Sequence, residues 1–212
     1  MDSRIRRYGL VGAVASAFGA LGAVAIIAWD RQVPADRFSY PFDAGWFTFW
    51  QVVFAVQHVA MLPLFGGLLL LERRRPSRAL RVGTWIGLAG MALLAVNELV
   101  AIAARDALVD DSTGSFVGTL YTLPMVLLGI GPLVAGIGVV RTRLLDGSAR
   151  WLLLGLGGYV FAVMFPAVFG PMVAGRLAIG AWMLGYAWLG LALRQSPVSP
   201  ASSLSPSMTT TA

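Results

Sequence analysis

Apolar residues fall into six long runs, at 8–29, 46–71, 83–104, 116–140, 151–170 and 173–193, with polar residues gathered between them. Each run is close to the roughly 20 residues that an α-helix needs to cross a hydrocarbon core about 30 Å thick. The pattern predicts an all-α fold, a polytopic bundle of six transmembrane helices. A basic N-terminus at 1–7 precedes this membrane domain, which extends over 8–193. The tail at 194–212 is rich in Ser, Pro and Thr and has too little apolar surface to order itself. Its Ser-Pro steps at Ser196, Ser199 and Ser205 are candidate phosphorylation sites on an otherwise solvated terminus.

Charge orients the runs. Twelve arginines (4, 6, 7, 73, 74, 75, 78, 81, 141, 143, 150 and 194) lie on one side, and four (31, 37, 105 and 176) lie on the other. Six of the acids, Asp30, Asp36, Asp43, Asp106, Asp110 and Asp111, lie on the arginine-poor side. Short loops rich in arginine stay in the cytoplasm, so both termini are expected inside and the acidic loops outside. The pI of about 10.7 follows from this topology and does not require a nucleic-acid partner. The basic run 72–81 reads as an inside anchor in preference to a dedicated anionic-lipid patch.

The first run carries a basic leader and an A-x-A step at Ala23–Ala25, as a cleavable signal would, but it exceeds the 7 to 15 apolar residues of a signal core. Small residues recur along it every fourth position, as Gly12, Ser16, Ala20 and as Ala15, Gly19, Ala23. That spacing lets helix backbones approach closely, which matters in lipid because apolar area by itself does not drive helices together. It predicts a retained, packed helix.

Composition narrows the chemistry. Only 12% of residues are charged, against about 25% in an average soluble chain. There is no cysteine, hence no disulfide and no thiolate metal site. Every basic side chain other than the single His58 is arginine, which removes lysine nucleophiles and retinal-type Schiff bases. One histidine cannot supply bis-histidine haem ligation. No H-E-x-x-H, P-loop or G-x-S-x-G pattern is present. Neither a cofactor, a metal nor an enzymatic reaction is expected.

Polar side chains inside the runs are therefore the candidates for function, because each is costly in hydrocarbon and needs a partner. Gln51 and His58 are seven residues apart and share one face of the second run. Asn97 and Glu98 sit in the outer half of the third, Tyr121 in the outer half of the fourth, and Arg176 at the outer end of the sixth. Their depths agree, with His58 as a floor, and predict an outward-facing polar pocket where these helices meet. A static reading competes, in which Glu98 and Arg176 form a buried ion pair that locks two helices and His58 donates to a backbone carbonyl. Pro63, Pro124, Pro132, Pro166 and Pro171 interrupt the same runs, as they do in cavity-lining transporter helices, although prolines are common in membrane helices generally. Pro63 in particular cannot donate to the Val59 carbonyl, beside the histidine.

With its arginine-rich start, the aromatic outer loop Phe38–Phe42 and closely spaced helices, the chain resembles the small six-helix integral membrane proteins of bacteria that have no assigned activity. The resemblance is one of layout over residues 4–194. It implies a multi-pass protein of a bacterial inner or plasma membrane, with no cofactor or site attached. Two functions are expected to compete. One is binding or transport of a small polar or cationic solute or a proton, with Glu98 as the charge and His58 as its titratable neighbour. The other is a structural subunit whose small-residue surface docks a membrane partner or a second copy.

Overall fold

A computed structural model describes residues 2–195, and the Ser-Pro steps of the tail lie outside the described residues. The described chain is all-helical, with six helices long and apolar enough to span a membrane: α1 (Ser3–Ile27), α2 (Ala44–Glu72), α3 (Arg78–Ala104), α4 (Ser112–Thr142), α5 (Gly147–Val168) and α6 (Met172–Gln195). Several begin a few residues before their apolar runs, and the reason is local. Asp43 accepts the Trp46 amide at 2.8 Å, Ser77 the Leu80 amide at 3.3 Å and Asp111 the Gly114 amide at 2.7 Å. Each side chain satisfies an amide that the first turn leaves without a partner.

The helices follow one another around the bundle, α1 against α2, α2 against α3, α3 against α4 and α4 against α5, with α6 returning to α1. The closest approaches are made by glycine. A Cβ on Gly131 of α4 would stand 2.5 Å from the Gly87 amide nitrogen of α3, and one on Gly190 of α6 would stand 2.5 Å from the Gly9 carbonyl of α1. Both small-residue stripes of α1 are buried inside the chain, Gly12 against Leu64 and Gly19 against Gln57 and Met183. The outer surface carries the apolar side chains that lipid tolerates, among them Val14, Leu21, Val56 and Phe116.

Two of the prolines, Pro124 and Pro166, leave visible marks, and Pro63 does not. α2 runs unbroken through Pro63. α4 breaks at Tyr121, three residues before Pro124. In α5 a π-helical segment, Val160–Met164, directly precedes Pro166, so the extra residue is taken up where a proline has removed an amide donor.

The two ends of the bundle are closed differently. At the arginine-rich end, the buried Glu72 accepts the Arg81 guanidinium at 2.9 Å and the Ser77 amide at 3.1 Å. Arg75 donates to the Thr142 carbonyl at 2.9 Å and Arg6 to the Arg194 carbonyl at 3.2 Å. At the acidic end, the loops 28–43 and 105–111 are stitched together. The Phe38 amide donates to Ala107, the Val109 amide to Asp36 and the Arg37 guanidinium to the Asp106 carbonyl. Amides of Gly114 and Leu108 bind both oxygens of Asp111 and hold its carboxyl below the usual carboxylate range. Trp29 meets Phe42, Trp46 and Trp50 edge-on, forming the aromatic belt expected at a membrane interface.

The glycine seam between α3 and α4 predicts that Gly131→Ala lowers stability by about 1–3 kcal/mol, because the added methyl meets backbone that cannot step aside. Gly155→Ala, whose Cβ would meet nothing within 4 Å, serves as the control and is expected to be neutral or slightly stabilising. Thermal unfolding of both variants in one detergent checks this.

Candidate functional site

The site is built from a backbone defect. Pro124 has no amide hydrogen, so the carbonyl of Leu120, four residues earlier, loses its helical donor. In hydrocarbon that acceptor must be satisfied by the protein itself. Asn97 of α3 does so, its side-chain amide donating to the Leu120 oxygen at 2.7 Å. The same break places Tyr121 at the junction between the two parts of α4 and points its ring back at α3. Its hydroxyl lies 3.1 Å from Glu98 Oε2 and 3.4 Å from the Asn97 carbonyl, and it donates its one hydrogen to the closer, charged acceptor.

His58 of α2 closes the other side of the carboxylate. Its Nδ1 is 3.7 Å from Glu98 Oε1, beyond hydrogen-bond range, and has no partner of strict hydrogen-bond geometry, the acceptor that the imidazole meets being the Phe54 backbone one turn earlier on α2. The Gln51 side chain, two turns earlier on the same face, reaches the Tyr121 hydroxyl. Gln51, His58, Asn97 and Glu98 are each 4–9% exposed, so all four are interior groups.

The residues expected to meet do so, with two departures from expectation. First, Arg176 does not pair directly with Glu98. It is half-buried, faces Glu98 and Tyr121 electrostatically, and among the described residues makes no ion pair within 4 Å. The bidentate lock of the static reading is therefore not formed. Second, loop residues that carry no membrane signal in the sequence reach the site: Phe42 joins Phe47, Ala101, Ala104 and Val117 in an apolar cluster, with Tyr121 packed against it.

A second buried polar group gathers around Gln57, which the sequence shows only as a neighbour of His58. Gln57, beside His58 in the chain but rotated about 100° around α2, faces α1 and α6 instead of α3. Its amide donates to the Ala15 carbonyl at 3.1 Å and contacts the Met61 and Met183 sulfurs. On the same side Ser16, Trp182 and Tyr186 are buried, and their polar atoms make no hydrogen bond within the described chain. Composition offered no signal for this group, because Trp and Tyr in an apolar run read as ordinary membrane residues.

Comparison with protein-family models, curated sequences and solved structures finds no match, and the chemistry of the site therefore rests on its own geometry. That geometry is an acceptor with one oxygen held by a hydroxyl and the other facing an imidazole nitrogen at 3.7 Å. It suits a group that gains and loses one small positive charge. Among the described residues, no cluster of three or more His, Asp or Glu side chains could hold a metal.

If Asn97 exists to satisfy the Leu120 carbonyl, Asn97→Ala should cost about 1–3 kcal/mol, the desolvation penalty of a stranded acceptor. Pro124→Ala restores the missing donor. In that background the same Asn97→Ala change should cost markedly less, and a double-mutant cycle on unfolding midpoints reads the difference.

Proposed function

We propose that this integral membrane protein takes up and releases a proton at Glu98, with His58 as the adjoining relay and Tyr121 as the group that holds the carboxylate in place. The observation that carries this reading is the juxtaposition of Glu98 Oε1 and His58 Nδ1 at 3.7 Å, inside a membrane and without a cation in contact with the carboxylate. A bare carboxylate in hydrocarbon costs several kcal/mol, and a static protein would pair it or omit it. Here one oxygen has a hydroxyl donor and the other is left facing a group that can itself carry a proton. Such a site holds one charge and exchanges it, and a small monovalent cation is the other species that it could admit.

The same reading sets both termini in the cytoplasm and the stitched loops outside, on the twelve-to-four division of arginines. The rival reading, a structural subunit docking a partner or second copy through the small residues of α1, loses its main support because those residues are consumed against α2 and α6.

Liposomes containing the purified protein and a trapped pH-sensitive dye test the proposal. The native protein should acidify the lumen under an imposed gradient, Tyr121→Phe should do so more slowly, and Glu98→Gln should not do so at all. Proton flux in Glu98→Gln equal to that of the native protein, at matched incorporation, would overturn it. For topology, a cysteine at Ser112 in this cysteine-free chain should react with a membrane-impermeant maleimide added outside whole cells. Reaction only after the cytoplasmic face is opened would reverse the orientation.

A further inference from the structure

The seam between α5 and α6 is the weakest closure of the bundle, since α5 is the least enclosed span at 28% buried. Between these helices runs an apolar groove of about 480 Å³, walled by Trp151, Tyr159, Trp182 and Trp188 and floored by Gly155 and Gly185. It descends from Ser148 to the level of Tyr159, eleven residues or roughly 16 Å along a helix, which is about the depth of one leaflet of a 30 Å hydrocarbon core. The groove does not end at the membrane surface. Ser148 and Trp188 also line a second, polar pocket of about 290 Å³, to which Asp146, Gly147 and Gln195 contribute.

The charges at this mouth are unspent. Asp146 occupies the N-cap position of its helix, as Asp43 and Asp111 do, but makes no capping hydrogen bond and no ion pair among the described residues. Arg150 lies with its guanidinium 5.9 Å from the Trp151 ring centre, and its buried Nε has no hydrogen-bond partner. An unpartnered carboxylate and a hydroxyl therefore stand at the entrance to a one-leaflet apolar slot, with the Arg150 guanidinium beside its Trp151 wall.

We infer that the α5–α6 seam is a binding site for one aminophospholipid of the leaflet at the arginine-rich end. An acyl chain lies along Gly155 between the tryptophans, the ammonium of the headgroup meets the Asp146 carboxylate, and a phosphate oxygen accepts from the Ser148 hydroxyl. A primary ammonium can donate hydrogen bonds to the carboxylate, as a trimethylammonium cannot. Glycine at 155 keeps the slot open, because a side chain there would project into space that no protein atom fills.

The test uses the full chain in nanodiscs of phosphatidylcholine, with and without phosphatidylethanolamine, released into mild detergent for native mass spectrometry. The native protein should retain one phosphatidylethanolamine in preference to phosphatidylcholine. Gly155→Phe, which fills the slot, should lower that retention about tenfold or more. Asp146→Asn, a change at the exposed mouth that leaves packing intact, should keep a bound lipid but bring the ethanolamine-to-choline preference to about one. Undiminished retention in a folded Gly155→Phe protein would overturn the site. An unchanged headgroup preference in Asp146→Asn would overturn the assignment of its chemistry, as would a preference for phosphatidylglycerol when that lipid is offered beside phosphatidylethanolamine. Dimers in the native sample that Gly155→Phe converts to monomers would show that a second copy occupies the groove, and would also overturn it.

Discussion

A carbonyl that has lost its helical donor inside hydrocarbon must find another, and the interior of this protein is arranged around one such carbonyl. Pro124 frees the oxygen of Leu120, and Asn97 answers it at 2.7 Å. That single contact fixes the rotation of α3 against the broken α4. With α3 so rotated, Glu98, the next residue, faces the junction, and Tyr121 is in position to donate to it. The polar site is thus a consequence of how the backbone defect is satisfied. Moving the proline would remove both the need for Asn97 and the reason for Tyr121 to point inward.

The glycine seam makes this possible. With Gly87 and Gly131 in backbone contact, α3 and α4 lie close enough for a side chain as short as asparagine to span them. In lipid no hydrophobic force draws helices together, so close backbone packing is itself what holds the pair. α2, against the other side of α3, then supplies Gln51 and His58 from one face while Gln57 turns into the α1–α6 interface. Neighbouring residues serve different parts of the protein because a helix rotates by about 100° per residue.

The two sides of the bundle differ in how tightly they are closed, and each proposed activity uses the side that suits it. The α3–α4 side is tight and buries its polar groups, as a charged group exchanging a proton across a low-dielectric barrier requires. The α5–α6 side is loose, widened by a π-helical segment and by glycines that meet no neighbour, and it opens onto the bilayer. Tryptophans there give it shape without sealing it.

The sequence by itself determined the six spans, their all-helical character and the segregation of arginine, because hydrocarbon thickness and the exclusion of charge act on the chain locally, residue by residue. It also identified Gln51, His58, Asn97, Glu98, Tyr121 and Arg176, since any polar group in an apolar run is conspicuous. Only the tertiary structure decided which of these touch. Asn97 spends its amide on a backbone oxygen. Arg176 stands off from Glu98, and Phe42 of a loop joins the apolar cluster against which Tyr121 packs. The face that Gln57 presents and the α5–α6 groove were illegible for the same reason. Depth along a helix follows from counting residues, but the face it presents and the gaps between neighbours follow from packing, where a glycine on one helix and a proline on another act together.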